Sequence, residues 1–333
     1  MNKVKRLFTT SLLITVLLIT ASWGFLVHKT THQLAIYELS GNIQSFFYKN
    51  MDYLVTNAPR PDMRRNSDPT EATKHFIDFE AYGDSAAWKM PLHWNDAVAK
   101  YSQDTLLKYG YVPYHVIYMK NKLTEAFKNG NKDSILFYAA DIGHYIEDAN
   151  VPLHTTTNYD GQLTNQKGIH ALWESVVPEI EITNYNLYST HKAVYLKQPE
   201  LAIWNAVRKS FLLLNDVFGK EKEVSKNFTD STKYRVQMQR GRQVKYYTTA
   251  FAKAYGEALK NSINEQLISS ANLVADFWFT AWVDAGKPEL SSLSVINDND
   301  INALGKEMES FKKNTLIKNE LLLSKKENKK SDD

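Results

Sequence analysis

The stretch Gly143-His144-Tyr145-Ile146-Glu147-Asp148-Ala149-Asn150-Val151-Pro152-Leu153-His154 decides how the rest of the chain is read. Ile135, Leu136, Tyr138, Ala139, Ile142 and Tyr145 recur at spacings of three and four, which predicts one buried face of a helix over Ser134–Asp148. His144 and Asp148 are four residues apart, so both project from one face of that helix, one turn apart. Pro152 ends the helix and lets His154 fold back over the pair. Further on, Gly168-Ile169-His170-Ala171-Leu172-Trp173-Glu174 repeats the four-residue step between His170 and Glu174. A lone His/Asp step is usually a surface hydrogen bond. Two such steps, with a third His between them and apolar residues around, point to a metal, because imidazoles and carboxylates on apolar faces need partners. Imidazole with carboxylate is the set zinc takes when thiolates are absent.

Outward from this segment most of the chain reads as helix. Apolar stripes run through Ala97–Tyr109, Val116–Phe127, Leu201–Phe218, Tyr246–Leu267 and Ala271–Val283. Breakers fall at Pro113, Asn129-Gly130-Asn131, Pro152, Pro178 and Gly286-Lys287-Pro288. No alternating strand pattern runs longer than a few residues, and no internal repeat stands out. The expected fold is all-α, a single multi-helix domain. Composition agrees: 333 residues, 43% hydrophobic and 23% charged, with 13 Gly and 9 Pro, describe a folded globular chain short of the turn residues of a β-sandwich. The absence of cysteine excludes a disulfide framework, thiolate zinc fingers, iron–sulfur clusters and a Cys nucleophile.

The N-terminus explains the formal charge of +3. Lys3, Lys5 and Arg6 precede the apolar run Leu12–Ile19 and the small residues Thr20, Ala21 and Ser22, the order of a secretory signal cut after Ser22. An uncleaved anchor is the competing expectation. Residues 1–22 hold three of the 40 bases and no acid, so the remainder balances against 37 acids, which argues against a strong sequence-blind nucleic-acid footprint. Cleavage predicts a secreted or periplasmic protein with Trp23 at its mature end, where a free amine is available to a metal. Residues 291–333 form a polar C-terminal extension with one helix expected around Ile301–Leu323 and a disordered tail over the last ten residues.

Taken together, these positions resemble the zinc-dependent phospholipase C and S1/P1 nuclease superfamily. The resemblance covers residues 23 to about 290, with Trp23 in Trp23-Gly24-Phe25-Leu26-Val27-His28, Asp62 in Pro61-Asp62-Met63-Arg64-Arg65, and His75 in His75-Phe76-Ile77-Asp78, ahead of the series His144, Asp148, His154, His170 and Glu174. It implies an all-helical domain with three zinc ions in one cleft. Position by position, one ion falls to Asp62, His75, His144 and Asp148, and a second to His154, His170 and Glu174. The third falls to the amine and carbonyl of Trp23 with His28, bridged by Asp148. The implied reaction is phosphodiester hydrolysis: clustered zinc ions supply hydroxide at neutral pH, Asp62 orients the attacking water, and Arg65 offsets charge on the phosphate. Phe76 and Asp78 match the base-stacking and base-bonding pair of the nucleases, although Phe76 also reads as a core aromatic.

The two branches of that family imply different substrates, phospholipid or single-stranded nucleic acid. Glu174 as the last ligand and the short span from His154 to His170 are phospholipase-like, and Ser175 replaces a phosphate-contacting Asn of the nucleases. The five-residue step from Trp23 to His28 is nuclease-like, and Gly24, Phe25 and Leu26 leave no acid to hold choline. The expectation leans to a phospholipase C-like enzyme, with a single-strand nuclease/3′-nucleotidase as alternative and a zinc-stabilised structural protein as the non-enzyme reading. No protein partner is implied, and a membrane is met only as substrate surface. Of the other histidines, His32 is a candidate partner for His28, four residues away, while His93, His115 and His191 read as ordinary. Asn158-Tyr159-Asp160-Gly161 is a turn near the cleft mouth.

Overall fold

The central helix is the one that carries His144 and Asp148. A computed structural model describes residues 25–239 and 241–329. Its principal elements are α1 (Phe25–Glu38), α2 (Val112–Lys128), α3 (Lys132–Ala149), α4 (Pro199–Leu212), the strands β1 (Tyr234–Gln239) and β2 (Arg242–Tyr247), α5 (Thr249–Leu259), α6 (Ser262–Asp284), α7 (Asp298–Lys312) and α8 (Leu323–Lys329). Asn131 starts α3 by accepting a hydrogen bond from the Ser134 amide at 2.9 Å. From Ala139 to Ala149 every residue of α3 is buried, because α1, α2, α4 and α6 surround it. A helix enclosed on all sides reads as apolar all round, so the polar residues it keeps there, Asp141, His144, Glu147 and Asp148, require partners. Trp278 and Phe127 are among the large side chains buried in the same core.

A second apolar cluster, including Leu153, Ile169, Leu172, Trp173, Phe251 and Tyr255, packs under the segment that carries His154, His170 and Glu174. The fold is mostly helical, and among the described residues the sheet is a single two-stranded one. No helix among the described residues is long and apolar enough to cross a membrane.

Several elements depart from the sequence reading. The antiparallel hairpin β1–β2 stands where no strand was expected, in the span leading to and overlapping the stripe Tyr246–Leu267. That stripe is further divided at Lys260, whose φ is 54°, between α5 and α6. Ala97–Tyr109 is two helices, Trp94–Tyr101 and Gln103–Tyr109, broken at Ser102 with φ 69°. Leu201–Phe218 is likewise divided at Leu213. In the C-terminal extension, α7 ends at Lys312 and α8 begins at Leu323, and Phe311, Leu316 and Leu322 are buried in the main core. The expected disordered tail is therefore wrong for its first part: Ser324 is buried and its Oγ lies 2.8 Å from Thr30 Oγ1. Met1–Ser22, Trp23 and residues 330–333 lie outside the described residues.

Candidate metal centre

Eight side chains from six parts of the chain converge on one place: His28, Asp62, His75, His144, Asp148, His154, His170 and Glu174. His28 comes from α1, Asp62 from the short helix Arg60–Arg64, and His144 and Asp148 from α3. His75 follows the 3-10 turn Ala72–Lys74, and His154 lies in the 3-10 turn Pro152–Thr155. These two segments clasp each other: Ile77 donates its amide to the His154 carbonyl at 2.9 Å, and His154 Nδ1 donates to the His75 carbonyl at 2.7 Å. His170 and Glu174 flank the entry to a π-helical turn, Leu172–Val176, which still sets His170 Nε2 2.7 Å from Glu174 Oε2.

The orientation of the rings is more telling than their proximity. His144 Nδ1 is 3.0 Å from the Ala58 carbonyl, His154 Nδ1 is held by His75, and His28 Nδ1 is bonded to the Glu147 carboxylate. In each ring the outer nitrogen is anchored, and the Nε2 faces inward. His75 is reversed, with Nε2 3.5 Å from Glu71 and Nδ1 turned inward. Anchoring one ring nitrogen so that the other presents a lone pair is how proteins prepare metal-ligating histidines.

The inward atoms then crowd together. His144 Nε2 and His75 Nδ1 are 3.1 Å apart, and so are His154 Nε2 and His170 Nε2. Asp148 Oδ2 is 2.8 Å from His75 Nδ1 and 3.2 Å from His144 Nε2. Two ligands at zinc-like bond lengths and a tetrahedral angle stand about 3.3 Å apart, close to these separations. The ligand atoms form three groups whose members all lie within 4.8 Å of one another and which could each hold an ion: His28–His144–Asp148, Asp62–His75–His144 and His154–His170–Glu174. The buried Nε2 of His28 has no hydrogen-bond partner, and it points toward Asp148 Oδ1 at 4.0 Å and Glu174 Oε1 at 3.7 Å. An orphaned, enclosed imidazole nitrogen aimed between two carboxylates fits a cation.

Electrostatics in the site follow from this crowding. Burial pushes the Asp148 carboxyl up, but the charges of His144 and His154 and hydrogen bonds from His144 and His75 hold it well below the usual carboxylate range. Glu174 is held low in the same way by His154, His170 and His28 against its burial. Conversely, burial lowers His154, yet Asp148 and Glu174 bring it up to about 9. The carboxylates are thus ionised and ready to bind a cation.

The site opens on one side. Asp62 is 30% exposed in its side chain and His170 27%, whereas His28, His144 and Asp148 are sealed. At that opening Arg65 is half exposed, its Nη1 3.5 Å from Asp62 Oδ1. Tyr159 stands on the other rim, its ring 6.0 Å from that of His170. Phe76 is half-buried and seated on Gly110, whose positive φ of 88° and lack of Cβ make the contact possible. Asp78 is pushed up to about 6 by burial and by Glu80, against the pull of His154.

Three residues behind the ligands went unassigned in the sequence or were read differently there. Glu147 holds His28. Glu71, with no side-chain exposure, accepts hydrogen bonds from Arg64, Lys74 and Tyr145 while facing His75. His32 stays out of the centre, with Nδ1 2.8 Å from the His28 carbonyl and Nε2 2.9 Å from that of Ala140. Glu147 carries no local signal, since it finds His28 through the fold, whereas Glu71 stands four residues before His75 and three before Lys74, a spacing that could have found it. His191 pairs with Asp276 at 2.8 Å, away from the centre. Comparison of the chain with family models and with curated proteins finds no match.

Proposed function

We propose that this chain is an exported zinc-dependent phosphodiester hydrolase, phospholipase C-like, with three ions in the centre described above. The observation that carries this reading is the set of inward-facing ring nitrogens: those of His28, His144 and His154 are anchored from behind, and those of His75, His144, His154 and His170 each lie 3.1 Å from another ring nitrogen. Asp62, His75, His144 and Asp148 would hold one ion, and His154, His170 and Glu174 a second. His28, with Asp148 and the backbone of Trp23, would hold the third.

When bound, zinc would supply Lewis acidity and a nucleophile at neutral pH. The remaining roles belong to this chain's own side chains. Asp62, partly exposed at the mouth, is placed to orient the attacking water. Arg65 offers a guanidinium to the non-bridging phosphate oxygens. The buried carboxylates Asp148 and Glu174 stay ionised throughout and keep the cationic cluster balanced. The three-residue group His154, His170 and Glu174 leaves a coordination position open, unlike a purely structural site with four closed ligands.

The five-residue step from Trp23 to His28 and the pair Phe76/Asp78 favour the second reading, a single-strand nuclease/3′-nucleotidase. Incubating the zinc-loaded protein with short-chain phosphatidylcholine and with single-stranded DNA, with and without chelator, separates the two. Chelator-sensitive release of diacylglycerol is the expected result. Release of nucleotides instead moves the chain to the nuclease branch, and no product from either substrate counts against hydrolysis.

A further inference from the structure

The hairpin β1–β2 contributes little to the core. Of β1 only Tyr234 is partly covered, and Tyr247 at the base is the one buried residue of β2. The register pairs Val236 with Lys245 and Met238 with Gln243, so Val236 and Met238 share one face. They are 54% and 68% exposed. Arg235, Arg242 and Lys245 lie on the two strands around them; Lys245 reaches Asp230 at 3.3 Å yet stays 57% exposed, whereas Lys233 at the base is committed to Glu221 at 2.7 Å.

The base of the hairpin is tied to the candidate centre. Tyr247 donates to the Gln166 carbonyl at 3.3 Å, and its ring lies where a Cβ on Gly168 would meet it at 3.5 Å. Gly168 opens the segment that bears His170 and Glu174. The loop before it, between His154 and His170, exposes Leu163 at 71% and Tyr159 at 53%. Apolar tips and cationic flanks are thus joined, through one short segment, to the rim of the site.

We infer that the hairpin and the Tyr159–Leu163 loop form a docking surface for an anionic phospholipid bilayer, delivering the mouth of the site to its substrate. Choosing a bilayer as occupant rests on the phospholipase C-like reading above. Complementarity supports it: lysines and arginines are attracted to anionic headgroups, while exposed Val, Met and Leu enter the interfacial layer. A nucleic-acid platform would need a run of open aromatic faces, and this surface offers only Tyr159 at its rim, 53% exposed. Tyr246, the aromatic of the opposite face, already has the Arg235 guanidinium 5.7 Å from its ring and its hydroxyl on Gln239.

The test is co-sedimentation of the full chain with vesicles of phosphatidylcholine alone or mixed with phosphatidylglycerol, at low and high salt. It is run beside hydrolysis of a water-soluble phosphodiester and binding of single-stranded DNA. We expect salt-sensitive binding to the mixed vesicles. In Val236→Ser/Met238→Ser it weakens about tenfold or more, with thermal unfolding and soluble-substrate hydrolysis unchanged. Equal vesicle binding by wild type and variant overturns the docking surface, as does DNA binding lost in Arg242→Gln/Lys245→Gln without any vesicle binding. Vesicle binding with no hydrolysis of the soluble substrate leaves the docking surface standing and defeats the catalytic reading.

Discussion

Glu147 and His28, 119 residues apart in sequence, share a buried hydrogen bond that determines which imidazole nitrogen faces the cluster. With Nδ1 committed to the carboxylate, Nε2 alone is left to present its lone pair beside Asp148 and Glu174. Replacing Glu147 by Gln keeps the volume and removes the charge that fixes the ring. Loss of such an anchoring carboxylate costs about 10–100-fold in metal affinity. Titration against a competing chelator measures it, and an affinity equal to wild type would show that His28 binds no ion through that orientation.

Glu71 faces the outer nitrogen of His75 at 3.5 Å, a looser contact than the one Glu147 makes with His28. Burial pushes its carboxyl up, but hydrogen bonds from His75, Arg64, Lys74 and Tyr145 hold it well below the usual carboxylate range. A folded-state value below the unfolded one means that its contribution is complete above the normal carboxylate range and is lost as pH falls through and beneath it. Glu71→Gln leaves Arg64 with Asp141 as its remaining carboxylate partner and should cost about 1–3 kcal/mol at pH 7. Urea unfolding between pH 3 and 7 should then show a flatter acid limb than wild type. A parallel pair of curves would refute the assignment.

Glu38 has the opposite sign. Burial and the neighbouring Asp276 raise its carboxyl to about 9, against the pull of Lys192. Its stabilising neutral form is intact below the unfolded carboxyl value and is lost as pH climbs toward 9. The limiting slope for one proton is about 1.4 kcal/mol per pH unit. Glu38→Gln should therefore unfold at a higher temperature than wild type at pH 8–9 and lose that advantage near pH 4.5. Coincident melting curves at both ends would rule it out.

Gly143 has no room for a methyl group: a Cβ there would sit 2.4 Å from His32 Nε2. His32 is fully buried and cannot retreat. Gly143→Ala should destabilise the protein by about 1–3 kcal/mol, in spite of the higher helix propensity of Ala. Pairing it with His32→Ala should restore part of the loss, which a double-mutant cycle quantifies. Additive losses would place the strain elsewhere.

The helix carrying His144 and Asp148 could be read because its apolar residues recur with the helical period and Pro152 stops it. The four-residue steps were legible for the same reason, since helix geometry converts spacing directly into a shared face. The π turn at Leu172–Val176 had no such signal. The hairpin was hidden because it buries almost nothing: alternation marks a strand only where one face is packed. Ser102 and Lys260 broke helices without glycine or proline, through positive φ angles that nothing in their chemistry announces. Glu147 was beyond local reading because His28 lies on another helix, whereas Glu71 stands four residues before His75, a step that was there to be read.

The clasp between the first and last described helices bears on when the centre can form. Gln33 of α1 donates to the Leu321 carbonyl at 2.8 Å and accepts from the Leu323 amide at 2.9 Å, while Thr30 meets Ser324. His28 lies on that same helix, one turn before the clasp. The earlier of these elements is thus closed by the later across 294 residues, a long separation for a contact to bridge. A nascent chain stopped before Leu321 would possess every residue of the candidate centre and lack the closure that seats α1 against them. Any binding of metal at the candidate centre would then await the docking of Leu321–Ser324 on α1.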